Sequence, residues 1–234
     1  PYGGTFHVPT GGYDDLIELE KAVDAAPKDA DRRAALALGH FYAGDAASAG
    51  ADADAALAMA PGHHLARYIK AELALRADDL ADALTRYRAL VSDGVDSFDI
   101  RGRLALIARK QGDNEEAVAQ LCAAKKLDPE RSYPYMELYE IYKAMGPAHA
   151  AQSLLELEQY VVLEQMSFAP LKQLIDDYAA LGNWQKVRTF GEMAVYIDPS
   201  NADLFLALGK AYLETGNATQ ATFTWPKIGE FVMN

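Results

Sequence analysis

The sequence predicts an all-α protein, built as a solenoid of stacked antiparallel helix pairs. Three observations lead to this fold class. Glycines recur with similar neighbours, apolar residues recur at three- and four-residue spacing on both sides of each glycine, and Asp-Pro follows two of the glycines at the same distance. These patterns indicate, in turn, a repeated unit, two amphipathic helices in each unit, and the place where a unit ends.

The repeat is clearest around three glycines, Gly112, Gly182 and Gly216. A small or modest apolar residue stands five positions after each of them: Ala117, Val187 and Ala221. A leucine stands eight positions before each of them: Leu104, Leu174 and Leu208. Pro129 and Pro199 follow the first two glycines at a distance of seventeen residues. The agreement at several offsets predicts a structural repeat rather than an isolated motif.

The same template extends along most of the chain. Gly146 occupies the glycine position of one further unit, and Asp78 occupies it in another. The units start near residues 32, 64, 98, 132, 168 and 202, a spacing centred on 34 residues. We therefore expect six repeats over residues 32–225.

The two ends of the chain depart from this pattern. Residues 13–31 resemble the second helix of an incomplete repeat, and the Gly-rich residues 1–12 are expected to form an irregular arm or linker. Pro226 interrupts the second helix of the last unit, because proline has no backbone N–H to donate. Residues 226–234 are therefore interpreted as an atypical cap or as the point where a longer array was truncated.

Each recurring residue has a mechanical role. Glycine adopts the left-handed conformation that reverses the chain at a helix end at little cost. The small residue five positions later allows the two helices to cross closely. Proline after Asp disfavours the helical conformation of the preceding residue and so stops the second helix.

A helix–turn–helix unit of 34 residues with Leu, Gly, Tyr, Ala and Pro at these offsets resembles the tetratricopeptide repeat (TPR) family. The resemblance covers about nine-tenths of the chain; it is strongest in 168–201 and weaker in 64–97, where no proline ends the unit. It implies a right-handed superhelix, whose first helices line a concave groove that holds a segment of another protein.

The sequence contains no recognisable catalytic motif. We find no H-E-x-x-H, P-loop or G-x-S-x-G pattern, and the five histidines do not have zinc-finger spacing. Cys122 follows the expected core residue Leu121 on a second helix, so it is interpreted as a packed, inert cysteine rather than a reactive thiol. We expect no cofactor, no metal site and no catalytic residue in this chain.

The resemblance also nominates residues on the first helices as peptide contacts. These candidates are Arg33, His40, Tyr68, Glu72, Arg109, Tyr133, Met136, Glu140, Lys143, Lys172, Asp176 and Lys210. Some family members clamp a partner's C-terminal carboxylate with Lys and Asn, but acids such as Glu72 and Asp176 stand here where Asn is required. The mixed charge of the groove instead suits a partner with both apolar and basic features.

The expected function is a non-catalytic scaffold that binds a protein or peptide. The alternative is the helical region of a larger enzyme or regulator, for example a bacterial metallopeptidase whose zinc site would lie in an upstream domain. The net charge of −12 argues against nucleic acid as a partner, because that affinity depends on clustered Lys and Arg. No apolar run is long enough to span a membrane, so we expect a soluble protein, with the cytoplasm favoured over the periplasm.

Overall fold

The computed structural model describes residues 16–165 and 167–224, and these residues contain helices, turns and no strand. The helices are α1 (Leu16–Ala25), α2 (Ala30–Ala43), α3 (Ala46–Met59), α4 (His64–Arg76), α5 (Leu80–Ser92), α6 (Phe98–Lys110), α7 (Asn114–Leu127), α8 (Tyr133–Ala144), α9 (Ala150–Leu163), α10 (Phe168–Ala180), α11 (Trp184–Ile197) and α12 (Ala202–Glu214). A 3₁₀ turn at Pro147–His149 precedes α9, and residues 218–224 are also helical. The arm expected at 1–12 and the cap expected at 226–234 lie outside the described residues.

The chain divides into two compact units, an N-terminal unit up to Pro129 and a C-terminal unit from Glu130. Within the N-terminal unit, α2 packs on α3, α4 on α5, and α6 on α7. Within the C-terminal unit, α8 packs on α9, α10 on α11, and α11 on α12. Successive helices are thus paired as the sequence predicts, and the all-α solenoid class is confirmed.

Short polar side chains begin most of the second helices. In each case a side-chain oxygen accepts a hydrogen bond from a backbone N–H of the first turn, which otherwise has no partner inside the helix. The residues that do this are Asp45, Asp79, Asp113 and Asn183. These caps follow directly after the residues that reverse the chain.

The reversing residues have left-handed backbone conformations. The φ angles of Gly112, Gly182 and Gly216 are 78°, 69° and 78°, as the repeat template predicts. Asp78 takes the same role in its unit with a φ of 58°, and it is the only described residue other than glycine with a positive φ. Aspartate tolerates this conformation better than most side chains, because its short polar group bonds locally.

The unit at 64–97, which has no terminal proline, ends by a different device. Helix α5 ends at Ser92, and Gly94 follows it with a φ of 84°. The N–H of Gly94 donates to the carbonyl of Val91, and the N–H of Val95 donates to that of Leu90. A glycine with these two bonds closes a helix as effectively as Asp-Pro, so the weaker sequence match at 64–97 does not correspond to a weaker stop.

Small residues fill the crossings between paired helices. Ala117, Val187 and Ala221 are fully buried, as expected for the positions that follow each turn glycine. Gly39 allows an equally close approach at another crossing, where an added Cβ would lie 2.8 Å from Leu19 Cδ1 of α1. Helix axes can come this close only where neither side chain occupies the space between them.

Candidate functional site

A buried carboxylate lies at the centre of the N-terminal unit. Glu72 of α4 is 4% exposed, and its Oε1 accepts hydrogen bonds from the Tyr87 hydroxyl at 2.6 Å and from Arg103 Nε at 2.7 Å. Tyr68, one turn earlier on α4, also hydrogen-bonds to Glu72. A buried charge is tolerated only when it is paired and hydrogen-bonded, and this carboxylate meets both conditions.

The network fixes the protonation states of its members. Burial, followed by the charge of Glu72, raises the pKa values of Tyr68 and Tyr87 well above the ordinary tyrosine range. Burial lowers the pKa of the Arg103 guanidinium, but the charge of the Glu72 carboxylate raises it by more, so the pKa lies above its ordinary value. At neutral pH Arg103 is therefore charged, and Tyr68 and Tyr87 are neutral phenols.

An exposed aromatic side chain, Tyr42 of α2, lies near this cluster. Tyr42 is 40% exposed. Partial burial raises its pKa first, the charges of Glu72 and Asp99 raise it further, and Arg103 and Arg76 lower it. The first helices α2, α4 and α6 thus present a tyrosine surrounded by charges of both signs, which we call the Tyr42 patch (Tyr42, Arg76, Asp99 and Arg103).

The arginine of α4 in this patch is held rigidly. The Arg76 guanidinium carbon lies 3.7 Å from the centre of the Phe41 ring, and Nη1 donates to the Phe41 carbonyl at 2.9 Å. Stacking and a backbone hydrogen bond both orient a guanidinium. Tyr42, Arg76 and Arg103 are not among the peptide contacts nominated from the sequence.

The other candidates of the N-terminal unit occupy varied surroundings. Tyr68 and Glu72 are buried, and Arg109 is exposed on α6. Arg33 Nη1 bonds Asp52 at 2.9 Å, and His40 Nε2 lies 3.6 Å from the other oxygen of the same carboxylate. Two nominated residues of α2 thus lie against the same carboxylate, that of Asp52 on the paired helix α3.

In the C-terminal unit, α8 and α10 are joined by a polar group that contains one nominated residue. Lys143 Nζ donates to the Tyr139 hydroxyl at 2.5 Å and lies 3.5 Å from Asp177 Oδ2. The Tyr139 hydroxyl in turn donates to Asp177 Oδ2 at 3.0 Å. The Tyr139 hydroxyl, followed by the charge of Asp177, raises the pKa of Lys143 against the opposing effect of burial.

The remaining candidates lie along the same first helices. Lys172 forms an ion pair with Asp176 at 2.7 Å on α10, so these two candidates contact each other. Lys210 Nζ of α12 lies 4.5 Å from the centre of the Trp184 ring, a cation–π contact that the sequence did not predict. Tyr133 and Glu140 are exposed on α8, whereas Met136 is partly buried against the core.

Several cavities open on the C-terminal unit, and two of them lie beside Lys143 and Tyr196 respectively. One of about 310 Å³ lies between the α8–α9 turn and the end of α10, and it is lined by Lys143, Gly146, Pro147, Ala150, Ser153, Leu154, Asp177, Ala180 and Leu181. A wider depression of about 640 Å³ lies between α11, α12 and residues 220–224, beside Tyr196, which is 90% exposed.

The described residues provide no obvious site for other chemistry. Among residues 16–165 and 167–224, no three or more His, Cys, Asp or Glu side chains are arranged to hold a metal ion. Cys122 is half-buried beside the fully buried Leu121. In the same part of the chain, each helix is too short or too polar to cross a bilayer.

Comparisons with known proteins agree with this architecture. The tetratricopeptide repeat family model matches residues 34–84 and 71–132, whereas none of the curated proteins matches the chain. Among solved structures, YrrB, described as a TPR protein with an unusual peptide-binding site, is 16% identical over 93% of both chains, with a TM-score of 0.50. The pilF protein of Pseudomonas aeruginosa is 20% identical over 92% of this chain and 99% of its own, with a TM-score of 0.54.

A third neighbour is a tetratricopeptide repeat protein from Parabacteroides merdae. It is 14% identical over 92% of this chain and 80% of its own, with a TM-score of 0.55. Identities this low establish a shared fold and nothing more specific. Residues 34–132 thus match the tetratricopeptide repeat family, and the helix pairs of both units share the fold of these tetratricopeptide repeat neighbours.

Proposed function

We propose that this chain is a non-catalytic scaffold, which binds a protein or peptide segment along the groove that its first helices are expected to line. The observation that carries the proposal is the Tyr42 patch. It presents an exposed aromatic ring together with fixed charges of both signs. Tyrosine and arginine are the residues most often found at the energetic centre of protein interfaces.

The buried network around Glu72 holds Arg103, which is one residue of the Tyr42 patch. Glu72 bonds Arg103 through Nε, so the guanidinium is held at one edge while 43% of the side chain remains exposed. In this proposal Tyr68, Tyr87 and Glu72 position Arg103, and Tyr42 contacts the partner directly. A side chain that is already ordered loses less entropy when the partner binds.

The partner is proposed to be a segment with apolar and basic residues. The chain carries 34 acidic and 22 basic side chains, so its field attracts cationic segments and repels acidic ones. Half-buried Asp99 near Tyr42 would pair with a basic residue, and the tyrosine ring would pack against its apolar neighbour. Of the neighbours, YrrB is described as a TPR protein with an unusual peptide-binding site, which supports peptide binding as a use of this fold.

A display selection tests the proposal. Random twelve-residue peptides are selected against the wild-type protein, and the enriched peptides are then titrated by calorimetry against Tyr42→Ala. We expect at least about a fivefold loss of affinity, because truncating an aromatic residue at an interface centre costs more than about 1 kcal/mol.

Tyr196→Ala is the matched control, because Tyr196 is a more exposed tyrosine that lies on a second helix, α11. This variant should bind the selected peptides like the wild type. If Tyr42→Ala and Tyr196→Ala have equal effects, or if no peptide is enriched over a blank selection, the proposed binding surface is wrong.

A further inference from the structure

A tyrosine protrudes from the outward face of the C-terminal unit. Tyr196 of α11 is 90% exposed, and the position it occupies is also exposed in α3, α5, α7 and α9. The residues at that position, twelve after the first residue of each helix, are Ala58, Ser92, Lys126 and Val162. Small, charged or aliphatic side chains are therefore sufficient there, and the core of the unit does not require an aromatic residue.

The depression of about 640 Å³ between α11, α12 and residues 220–224 lies directly beside this tyrosine. Buried Phe205 and Leu208 line its inner surface, and Met193 and Phe223 are exposed around it, Phe223 at 67%. A single exposed apolar side chain is ordinary on a protein surface. Several of them around a concave region are typical of an interaction site.

The polar groups of this depression are satisfied except for one hydrogen-bond acceptor. Glu192 Oε1 accepts from the Tyr212 hydroxyl at 3.0 Å and lies 3.8 Å from Arg188 Nε, whereas Oε2 accepts no hydrogen bond within the described residues. The hydroxyls of Thr189 and Thr224 donate to carbonyls of their own helices. The nearby arginine offsets the charge of the carboxylate, so the surface suits a neutral aromatic side chain that donates a hydrogen bond.

We propose that two copies of this chain associate through this surface, which we call the α11–α12 face (Glu192, Met193, Tyr196 and Phe223). Tyr196 of each copy lies in the depression of the other. Its ring packs against the apolar lining, and its hydroxyl donates to Glu192 Oε2 of the other copy. A protruding side chain next to a depression that accepts it is self-complementary, and a two-fold axis allows both copies to make the same contact.

The rest of the chain opposes this association, because each copy carries a net charge of −12. Eleven residues line the depression, whereas each side of a standard protein interface contains roughly 20–30. We therefore expect a reversible dimer that forms as the protein concentration rises. At about 1 M salt the screening length falls to about 3 Å, so high salt should strengthen the dimer, whereas it would weaken one that ion pairs hold together.

Sedimentation velocity of the full chain over a range of concentrations measures this association. Tyr196→Ala should weaken it at least about fivefold, because an aromatic residue at the centre of a contact is lost. Tyr196→Phe and Glu192→Gln should each weaken it about threefold, and the double variant should be no weaker than either, because both remove the same hydrogen bond. Tyr133→Ala, which removes an exposed tyrosine of α8, is the matched control and should leave association unchanged.

A photo-cross-linker identifies what occupies the depression. With p-benzoylphenylalanine in place of Tyr196, a mixture of unlabelled and ¹⁵N-labelled protein should give cross-links between chains to residues 189–193, 205–212 or 220–224. Cross-links confined to one chain, including those to residues 225–234, would overturn the proposal. So would a sedimentation coefficient of the wild type that does not change with concentration, equal association by wild type and Tyr196→Ala, or weaker association at high salt.

This proposal and the Tyr42 patch can fail separately. Tyr42→Ala should weaken the selected peptides and leave the sedimentation coefficient unchanged, whereas Tyr196→Ala should do the reverse. If only the peptides respond, the scaffold function stands and the α11–α12 face is wrong. If only the sedimentation coefficient responds, the α11–α12 face stands and the Tyr42 patch is wrong.

Discussion

The two units use the same pair of side chains, tyrosine and glutamate, in different surroundings. In the N-terminal unit, Glu72 is buried and connects α4, α5 and α6 through Tyr87 and Arg103. In the C-terminal unit, Tyr212 of α12 donates to Glu192 of α11 at 3.0 Å, and the glutamate side chain is 50% exposed. Because the two pairs share side-chain types and differ in burial, we expect burial, rather than the identity of the pair, to decide how much each contact contributes to stability.

A second tyrosine–glutamate pair in the C-terminal unit is intermediate in the burial of its glutamate. Tyr178 of α10 donates to Glu158 of α9, and Lys186 of α11 donates to the same oxygen at 2.7 Å. The pair lies 34 residues before Tyr212 and Glu192, so it is a repeated contact between a second helix and the next first helix. Cys122 stands at the position of the glutamate in its own unit, and a thiol accepts hydrogen bonds only weakly.

The largest expected effect comes from removing the two carboxylates. Glu72→Ala should lower the free energy of unfolding by about 3 kcal/mol, because it leaves a partly buried guanidinium and a buried hydroxyl without their partner. Glu192→Ala, the matched change at the exposed pair, should cost less than about 1 kcal/mol. Urea unfolding followed by circular dichroism gives both values. Equal losses for the two variants would contradict the claim that burial sets the difference.

Removing only the hydroxyl groups should give a smaller effect of the same kind. Tyr87→Phe should cost about 1.5 kcal/mol, because Glu72 loses a buried donor while the ring remains in place. Tyr212→Phe should cost about 0.5 kcal/mol, because water replaces the lost contact at Glu192. The same urea unfolding experiment tests both variants. A larger loss of unfolding free energy for Tyr212→Phe than for Tyr87→Phe would contradict the expected order.

Alkaline titration should separate the same tyrosines. Burial, and then the hydrogen bond to Glu192, raises the pKa of Tyr212 to about 12, above its ordinary value of 10.0. The contribution of this neutral phenol to stability is therefore complete below pH 10 and is lost as the pH rises towards 12. Tyr87 is more deeply buried, so it should ionise only when its unit unfolds.

The absorbance of phenolate at 295 nm, recorded alongside circular dichroism, measures this difference. Tyr212→Phe should remove a reversible step that precedes unfolding. Tyr87→Phe should remove absorbance only from the unfolding step. A reversible step before unfolding that disappears in Tyr87→Phe would contradict the assignment.

The smallest expected effects concern the turns. Gly182→Ala in the C-terminal unit should cost about 1 kcal/mol, because it forces a left-handed conformation on a residue with a Cβ. Asp78→Gly in the N-terminal unit should change stability by less than about 0.5 kcal/mol. It relieves a similar strain but loses the exposed ion pair with Lys110 and makes the unfolded chain more flexible. A loss above 1 kcal/mol for Asp78→Gly would show that the carboxylate is essential to the turn.

Local patterns predicted the parts of the fold that depend on single residues. The turn glycines 112, 182 and 216 have positive φ, and the small residues after them are buried, because each role is set by the conformational freedom or the size of that one residue. The stop at Gly94 was missed, because the expected marker was proline and a glycine after an aspartate was not considered. The division into six repeats and the twelve peptide contacts remain predictions.

The residues of the candidate surface were harder to predict from the sequence than the turns. Glu72 was nominated as a groove contact, yet its carboxylate is buried by Tyr87 and Arg103, which are 15 and 31 residues away. Tyr42 and Trp184 were not nominated, because their importance depends on Arg103 and Lys210 reaching them from other helices. Periodicity describes which face of one helix is apolar, and it contains no information about partners on other helices.

The sequence by itself determined the all-α class, the pairing of helices and the residues that reverse the chain, because these depend on spacing and on intrinsic backbone preference. Only the tertiary structure decided that Glu72 is an internal partner, that Tyr42 is exposed near charges of both signs, and that a cavity lies beside the longer α8–α9 turn. These properties depend on burial, which arises when separate helices meet and cannot be assigned to any residue alone.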